Sequence, residues 1–189
     1  MNSNEFKIKL KMHPLFNEYA CDPITGDIYS LKNNQIKLIK QNLLKNGYLQ
    51  FSISQDGKVK SYRTNRFIYE CYYNEILDKN IDVDHIDKNK LNNSINNLRK
   101  VSRTTNNLNR FDNEEVNELP DDKIEVIKYN DHYFENIWFS SSTNCLYKIS
   151  DGYIFRIPFK SCNRIYIYDT NKNQVQIYLN KLRKILGCD

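Results

Sequence analysis

Between Asp82 and Arg110 the chain reads DVDHIDKNKLNNSINNLRKVSRTTNNLNR, a stretch that concentrates groups able to act on a phosphodiester. Asp84 offers a hard carboxylate oxygen. His85 follows it directly, and alternation along a strand end turns its ring to the opposite side. Asn106 offers a second oxygen, one turn into a following helix. An Asp carboxylate with an Asn carbonyl is a sparse set for a hard cation. That suits Mg²⁺ (or Mn²⁺), which keeps waters and takes substrate phosphate oxygens as further ligands. A neutral imidazole beside such an ion can accept a proton from an attacking water. Arg99, Lys100 and Arg103 are spaced to hold the flanking phosphates.

These groups need a scaffold. Val83-Asp84-His85 ends a short β-branched run, a polar Asn-rich loop follows, and residues 97–101 read as a second strand. Ser102 is placed to cap a helix running to about Arg110. Upstream, 27–31 and 48–53 read as strands, Gln55-Asp56-Gly57-Lys58 is a hairpin signal, and 59–62 is the return strand. Phe67, Ile68, Cys71, Tyr72 and Ile76 have helical spacing over 65–77, with Thr64 or Asn65 as the cap.

The stretch 112–122, DNEEVNELPDD, has a charge run and Pro120, and reads as a connector. Beyond it, 125–129, 133–139, 153–158, 164–169 and 175–178 read as strands. Asn180 is placed to cap a helix bearing Leu182, Ile185 and Leu186, stopped by Gly187. The expected organisation is α+β. A β-rich module and catalytic core occupy 1–110, an acidic linker 111–124, and a mostly-β lobe with a C-terminal helix 125–189. In both lobes a turn precedes a short strand, a hairpin follows, and a helix begins eight residues after the hairpin turn, Gly57 to Asn65 and Lys172 to Asn180. That recurrence is either an internal duplication or two uses of a common motif.

Length and composition bound the reading. A chain of 189 residues with 13% aromatic content can build a packed core and is not wholesale disordered. No apolar run is long enough to cross a membrane, and the N-terminal stretch lacks the apolar segment of a signal peptide. The five cysteines are scattered with no CxxC pair, as expected of reduced thiols in an intracellular protein without a structural zinc. Residues 1–110 carry net charge +7, 111–125 net −6 and 126–189 net +4. Two basic lobes flank an acidic connector, which favours a polyanionic partner, although solvated lysine faces give the same signal. The 27 asparagines and 20 lysines against a single alanine, Ala20, are what an AT-rich genome produces.

The segment resembles the HNH, or ββα-metal, nuclease motif, and most closely the phage and intron-encoded HNH homing endonucleases. The parts are Asp84-His85, Asp87, Asn89, Asn92-Asn93, Asn97-Leu98-Arg99 and Asn106, a motif spanning about 81–110. The resemblance implies His85 as general base, Asp84 and Asn106 as metal ligands, and Asn97 as the residue that orients His85 and fastens the loop. It implies cleavage to 5′-phosphate and 3′-hydroxyl ends. Residues 19–31 look like the NUMOD4-type module that precedes HNH in such enzymes, and the hairpin and the Asn65-Arg66-Phe67 helix look like its continuation. Lys58, Lys60 and Arg66 are then expected, with Arg99, Lys100 and Arg103, on double-stranded DNA. Three positions depart from the pattern: Asn65 where His is frequent, Lys88 where Gly is frequent, and Asn106 where other subgroups have His.

The sequence holds its own control. Asp131-His132 is also an Asp-His pair with Asn144 at the same offset, but Tyr153 stands where the helical Asn is needed and no Leu-Arg follows. His132 therefore reads as a strand residue. The expected activity is that of a homing-type endonuclease acting as monomer or homodimer in a host cytoplasm, nucleus or viral factory. A DNA-binding protein with a decayed site, or a restriction or defence nuclease, are the alternatives.

Overall fold

The computed structural model describes residues 9–109 and 112–188. The chain divides into two compact units, Met1–Asn106 and Asn107–Asp189.

In the first unit β1 (Lys11–Met12), β2 (Tyr19–Asp22), β3 (Asp27–Ser30) and β4 (Lys37–Leu38) form one antiparallel sheet. β5 (Asn42–Leu43), β6 (Leu49–Gln55) and β7 (Lys58–Arg63) form a second. Asp56 and Gly57 both have positive φ, 51° and 71°, as a two-residue hairpin turn with matching twist requires. Helix α1 (Thr64–Tyr73) follows β7 without a break. Next come β8 (Ile81–His85), β9 (Leu98–Ser102) and α2 (Arg103–Leu108), with a 3₁₀ turn at Ile95–Asn97 just before β9. β8 and β9 form an isolated antiparallel pair in which Asp84 faces Arg99 and His85 faces Leu98.

One core joins these pieces. Phe67 and Ile68 of α1 pack with Tyr19, Cys21 and Ile28 of the first sheet, Phe51 and Ile53 of the hairpin, and Val83, Ile95 and Leu98 beneath the motif. Each fully buried Phe or Ile contributes roughly 2 kcal/mol. The helix also grips β8 by polar contacts. Asn65 Nδ2 donates to the Val83 carbonyl at 2.7 Å, and Arg66 donates to the carbonyls of Ile81, Leu77 and Asp78.

α1 ends at Tyr73, four residues before its expected end, because Asn74 takes the left-handed conformation at φ 51°. The Leu77 amide then folds back onto Glu70 Oε1 at 3.0 Å. Neither Thr64 nor Asn65 caps the helix. Thr64 donates its hydroxyl to Gln41, and the Asn65 amide is engaged on β8. Ser102 does act as expected, accepting the Thr105 amide hydrogen at 3.3 Å.

In the second unit β10 (Glu114–Val116), β11 (Lys123–Glu125), β14 (Ile137–Ser140), β15 (Cys145–Ser150) and β16 (Tyr153–Pro158) make a five-stranded sheet in the order β10-β16-β15-β14-β11. β12 (Lys128–Tyr129) pairs with β13 (His132–Tyr133), and β17 (Arg164–Tyr168) with β18 (Gln174–Tyr178). Helix α3 (Leu179–Leu186) ends at Gly187, φ 67°, with no side-chain cap at its start; Asn180 lies inside it.

The acidic stretch expected as a linker is therefore woven into this unit, β10 and β11 being the two edges of its sheet. Its carboxylates find partners there. Asp122 accepts hydrogen bonds from the hydroxyls of Ser140, Ser141 and Ser142, Glu114 pairs with Arg156, and Asp112 pairs with Lys160.

A common plan runs through both units. β2 and β3 flank a four-residue turn, as do β14 and β15. Asp22 accepts the amide hydrogen of Thr25 three residues on, as Ser140 accepts that of Thr143. Gly26 and Asn144 hold positive φ at the same turn position. A hairpin leads without a break into a helix in each case, β7 into α1 and β18 into α3. Among the described residues no helix is long and apolar enough to cross a membrane.

Candidate active site

The site is built on β8, the loop after it, β9 and α2. Asp82 and Asp84 alternate onto one face of β8, and His85 points away from them. Asp84 is buried and accepts the Arg99 Nε–H at 3.1 Å. Asn106 Nδ2 donates to Asp82 Oδ2 at 3.0 Å, which directs its amide nitrogen onto β8 and leaves a carbonyl oxygen as its acceptor. Asp82, Asp84 and Asn106 are thus three hard oxygen donors carried by one strand face and the first turns of α2. Asp82 is absent from the sequence expectation. Its signal was the alternation Asp82-Val83-Asp84, which puts two carboxylates on one side of a strand.

His85 is 2% exposed. Its Nε2 lies 3.1 Å from Asn93 Oδ1, and the Asn93 amide nitrogen is turned to the Leu91 carbonyl. A carbonyl oxygen can only accept, so a neutral ring that pairs with it carries its proton on Nε2, with Nδ1 as the unprotonated nitrogen. Burial pushes the His85 pKa below its ordinary value. The Asn93 contact and the nearby Asp84 and Asp87 charges oppose that shift only in part, and Lys90 adds to it. The ring is therefore neutral at neutral pH.

The orienting role expected of Asn97 falls to Asn93 instead. Asn97 is the clasp of the loop: its Oδ1 accepts the Asp87 amide hydrogen at 2.9 Å, and its Nδ2 donates to Asp87 Oδ1 and the Asn92 carbonyl, both at 2.8 Å. Asp87 also accepts from Asn92 Nδ2 at 2.7 Å and from the Asn89 amide. The upstream module braces the same loop. The Ile95 amide donates to the Pro23 carbonyl at 2.7 Å, and a Cβ on Gly26 would meet Asn93 Cβ at 3.1 Å. The close turn after β2 thus helps fix the residue that holds His85.

Several cations expected on phosphate are spent within the fold. Arg99 is buried against Asp84, its partner across the ladder. Arg66 is committed to Glu70 and to three backbone carbonyls. Lys100 spans both oxygens of Glu75 at 3.0 and 3.3 Å. Arg103 remains largely exposed, 3.9 Å from Asp82. Lys58 and Lys60 are exposed, but pair with Gln55 and Ile53 and so share the core-side face of the hairpin.

Two other cations gather on the Tyr48 ring, which adjoins His85. The Tyr48 ring lies 5.7 Å from the imidazole, centroid to centroid. The Arg63 guanidinium sits 4.6 Å and the Lys90 ammonium 4.7 Å from the same Tyr48 ring. Burial raises the Tyr48 pKa, Arg63 opposes the rise, and Asp84 and Asp82 reinforce it. Tyr48, Arg63 and Lys90 come from β7 and two loops, so no local motif revealed them.

A strand bearing Asp-His, an Asn-clasped loop, a second strand and a helical Asn make a strand–loop–strand–helix unit. Residues 62–108 match the family described as HNH endonuclease. Two relatives are phage enzymes. DNA endonuclease I-HmuI of Bacillus phage SP01 is 32% identical over 104 residues, covering 55% of this chain and 58% of that protein. H-N-H endonuclease F-TflII of Escherichia phage T5 is 35% identical over 89 residues, covering 47% and 45%. The chain thus spans about half the length of these relatives. The solved structure entitled "DNA binding and cleavage by the HNH homing endonuclease I-HmuI" aligns over 53% of this chain and 56% of that one, at 31% identity and a TM-score of 0.46.

Proposed function

We propose that the chain is a metal-dependent DNA endonuclease of the HNH homing type. The observation that carries this is the placement of Asp84, Asp82 and Asn106 on one side of β8, with a neutral, buried His85 next along the same strand. The names of the phage relatives agree with it.

Hard oxygens suit a hard divalent cation, and the three donors fit Mg²⁺ or Mn²⁺. Asp84 and Asn106, with Asp82 beside them, would hold it, and the ion would supply charge stabilisation at the scissile phosphate. His85 Nδ1 takes the proton of the attacking water. The water oxygen forms a bond to phosphorus, the P–O3′ bond breaks, and the 3′ oxygen leaves with the bonding pair and takes a proton from a solvent water to become the hydroxyl. Asn93 holds the ring by its Nε2–H, so Nδ1 stays the acceptor through the step. Arg99 holds the Asp84 carboxylate in place through its Nε–H. The partner is double-stranded DNA, and the first unit is a nuclease module in which 19–73 positions the motif.

The test is cleavage of supercoiled plasmid and AT-rich genomic DNA, with Mg²⁺ or with EDTA, by wild type and His85→Ala. Metal-dependent nicking or linearisation by the wild type alone is the expected result. Equal cutting by both proteins would overturn the assignment of His85. Salt-sensitive binding without any cleavage would turn the reading to a DNA-binding protein.

A further inference from the structure

We propose that the outer face of the β17–β18 hairpin is a second binding site for duplex DNA, a ribbon that reads base edges in the major groove. The proposal rests on the nuclease reading only for the class of nucleic acid. Strand alternation separates the hairpin into two unlike faces. Ile165, Ile167, Val175 and Ile177 are buried in the core of the second unit. On the other side lie Arg164, Tyr166, Tyr168, Gln174, Gln176 and Tyr178, in the cross-strand pairs Arg164–Tyr178, Tyr166–Gln176 and Tyr168–Gln174.

That face is unlike an ordinary solvated surface. Tyr166, Tyr168 and Tyr178 are each about half exposed, at 51%, 58% and 47%. Three aromatic rings in one patch leave apolar area in water that an interface would cover. No acidic side chain stands among the six. The nearest carboxylate, Asp169, is buried and held by His132 at 2.8 Å and by Asn173. Lys172 lies in the turn, and 126–189 carry net charge +4. Gln174 is exposed, whereas the Gln176 amide nitrogen is buried and without a hydrogen-bond partner among the described residues.

The chemistry selects the occupant. Arg recognises guanine and Gln recognises adenine by paired hydrogen bonds, while tyrosine offers a hydroxyl to phosphate and a ring to the thymine methyl. A two-stranded ribbon fits the major groove, which is about 12 Å wide. Single-stranded nucleic acid would also stack on tyrosines. Gln174, exposed on this face opposite Tyr168, favours base-edge readout. The first unit has the same plan, and its hairpin β6–β7 places Arg63 on the outer face, beside Tyr48.

The test uses the full chain in EDTA, so that cleavage does not interfere. Wild type selects sequences from a randomised 30-bp duplex pool, and binding to the selected duplex is followed against NaCl concentration. Arg164→Glu is expected to weaken binding at least tenfold and to lower the salt slope by about one; Arg164→Lys retains the slope. Gln174→Ala is expected to relax the selected consensus at the base pair it reads. Unchanged melting temperatures show that the variants fold, as exposed positions predict. An unaltered slope and consensus in these variants would overturn the proposal, as would tighter binding to the single strand. A wild type that binds duplex but never nicks it with Mg²⁺ would defeat the nuclease reading and leave this one standing.

Discussion

Arg99 donates its Nε–H to Asp84 Oδ2 at 3.1 Å, and the two residues face each other as partners in the β8–β9 ladder. Both are buried, so each charge depends on the other. Removing one member of a buried pair leaves an uncompensated charge, at a cost of about 3–5 kcal/mol. Arg99→Met is therefore expected to lower the unfolding free energy by about 3 kcal/mol in urea denaturation, and to abolish cleavage at temperatures where it remains folded. A phosphate-contact arginine would instead leave stability unchanged and alter only DNA binding. The denaturation curve separates these two roles.

His85 and Asn93 set the pH dependence. Burial lowers the His85 pKa, so if His85 is the general base proposed above, the acid limb of the rate is expected below the usual histidine range. Asn93→Asp would place a carboxylate at the Nε2–H and favour the imidazolium. The limb then moves to higher pH, and the rate at pH 6 falls relative to that at pH 8. NMR titration of the His85 ring, alongside the pH profile of single-turnover cleavage, checks the direction. Asn93→Leu predicts the opposite shift with a slower plateau, because the ring loses its orienting contact.

How much of this could be read from residues alone differs by element. The alternation of 153–158 and the Asp56-Gly57 turn fixed strands and a hairpin, because their signals are local. The strand–loop–strand–helix that carries Asp84, His85 and Asn106 was legible because motif spacing encodes it. Their neighbours were not. Asp82, Asn93, Tyr48, Arg63 and Lys90 reach the site through folding of separate segments. Charge type alone misassigned Arg99 and Arg66, since an arginine reads the same whether it meets a phosphate or a buried carboxylate. The acidic stretch misled for the same reason: its carboxylates meet Arg156, Lys160 and three serines of distant strands. The asparagines that composition ascribed to codon bias include seven at positive φ, Asn33, Asn34, Asn74, Asn130, Asn136, Asn144 and Asn163, a conformation asparagine tolerates better than most residues.

Glu70 predicts an acid limb in stability. Its side chain is fully buried and accepts hydrogen bonds from His13 Nε2 at 3.1 Å, Arg66 Nε at 3.0 Å, the Tyr62 hydroxyl and the Leu77 amide. Burial alone would raise its pKa, but the hydrogen bonds and the Arg66 charge outweigh it and the net shift is downward. The unfolded chain therefore binds the proton more readily than the folded one. Stability from this group is fully present above the ordinary glutamate range and is lost as pH falls through the depressed folded value. Glu70→Gln is expected to cost about 3 kcal/mol at pH 7 and to flatten the acid limb. Urea melts of both proteins between pH 3 and pH 7 measure the difference.

Arg63 and Lys90 predict a split between binding and chemistry. Both stand within 5 Å of the Tyr48 ring that adjoins His85, while Arg99 and Arg66 are engaged in the fold. Lys90 also donates to the Asn46 carbonyl at 3.0 Å, and both cations adjoin the ring that packs beside the imidazole, where a phosphate could meet them. Each phosphate contact releases close to one counterion, so Arg63→Gln and Lys90→Gln should each reduce the salt slope of DNA binding by about one. Lys90 also depresses the His85 pKa by charge, so Lys90→Gln should move the acid limb of cleavage upward, whereas Arg63→Gln, with no such coupling, should not. Binding isotherms in EDTA at several NaCl concentrations, paired with cleavage pH profiles in Mg²⁺, read the two effects separately. Wild-type salt slopes in both variants would remove Arg63 and Lys90 from the phosphate contacts and pass that role to Arg103, the exposed cation beside Asp82.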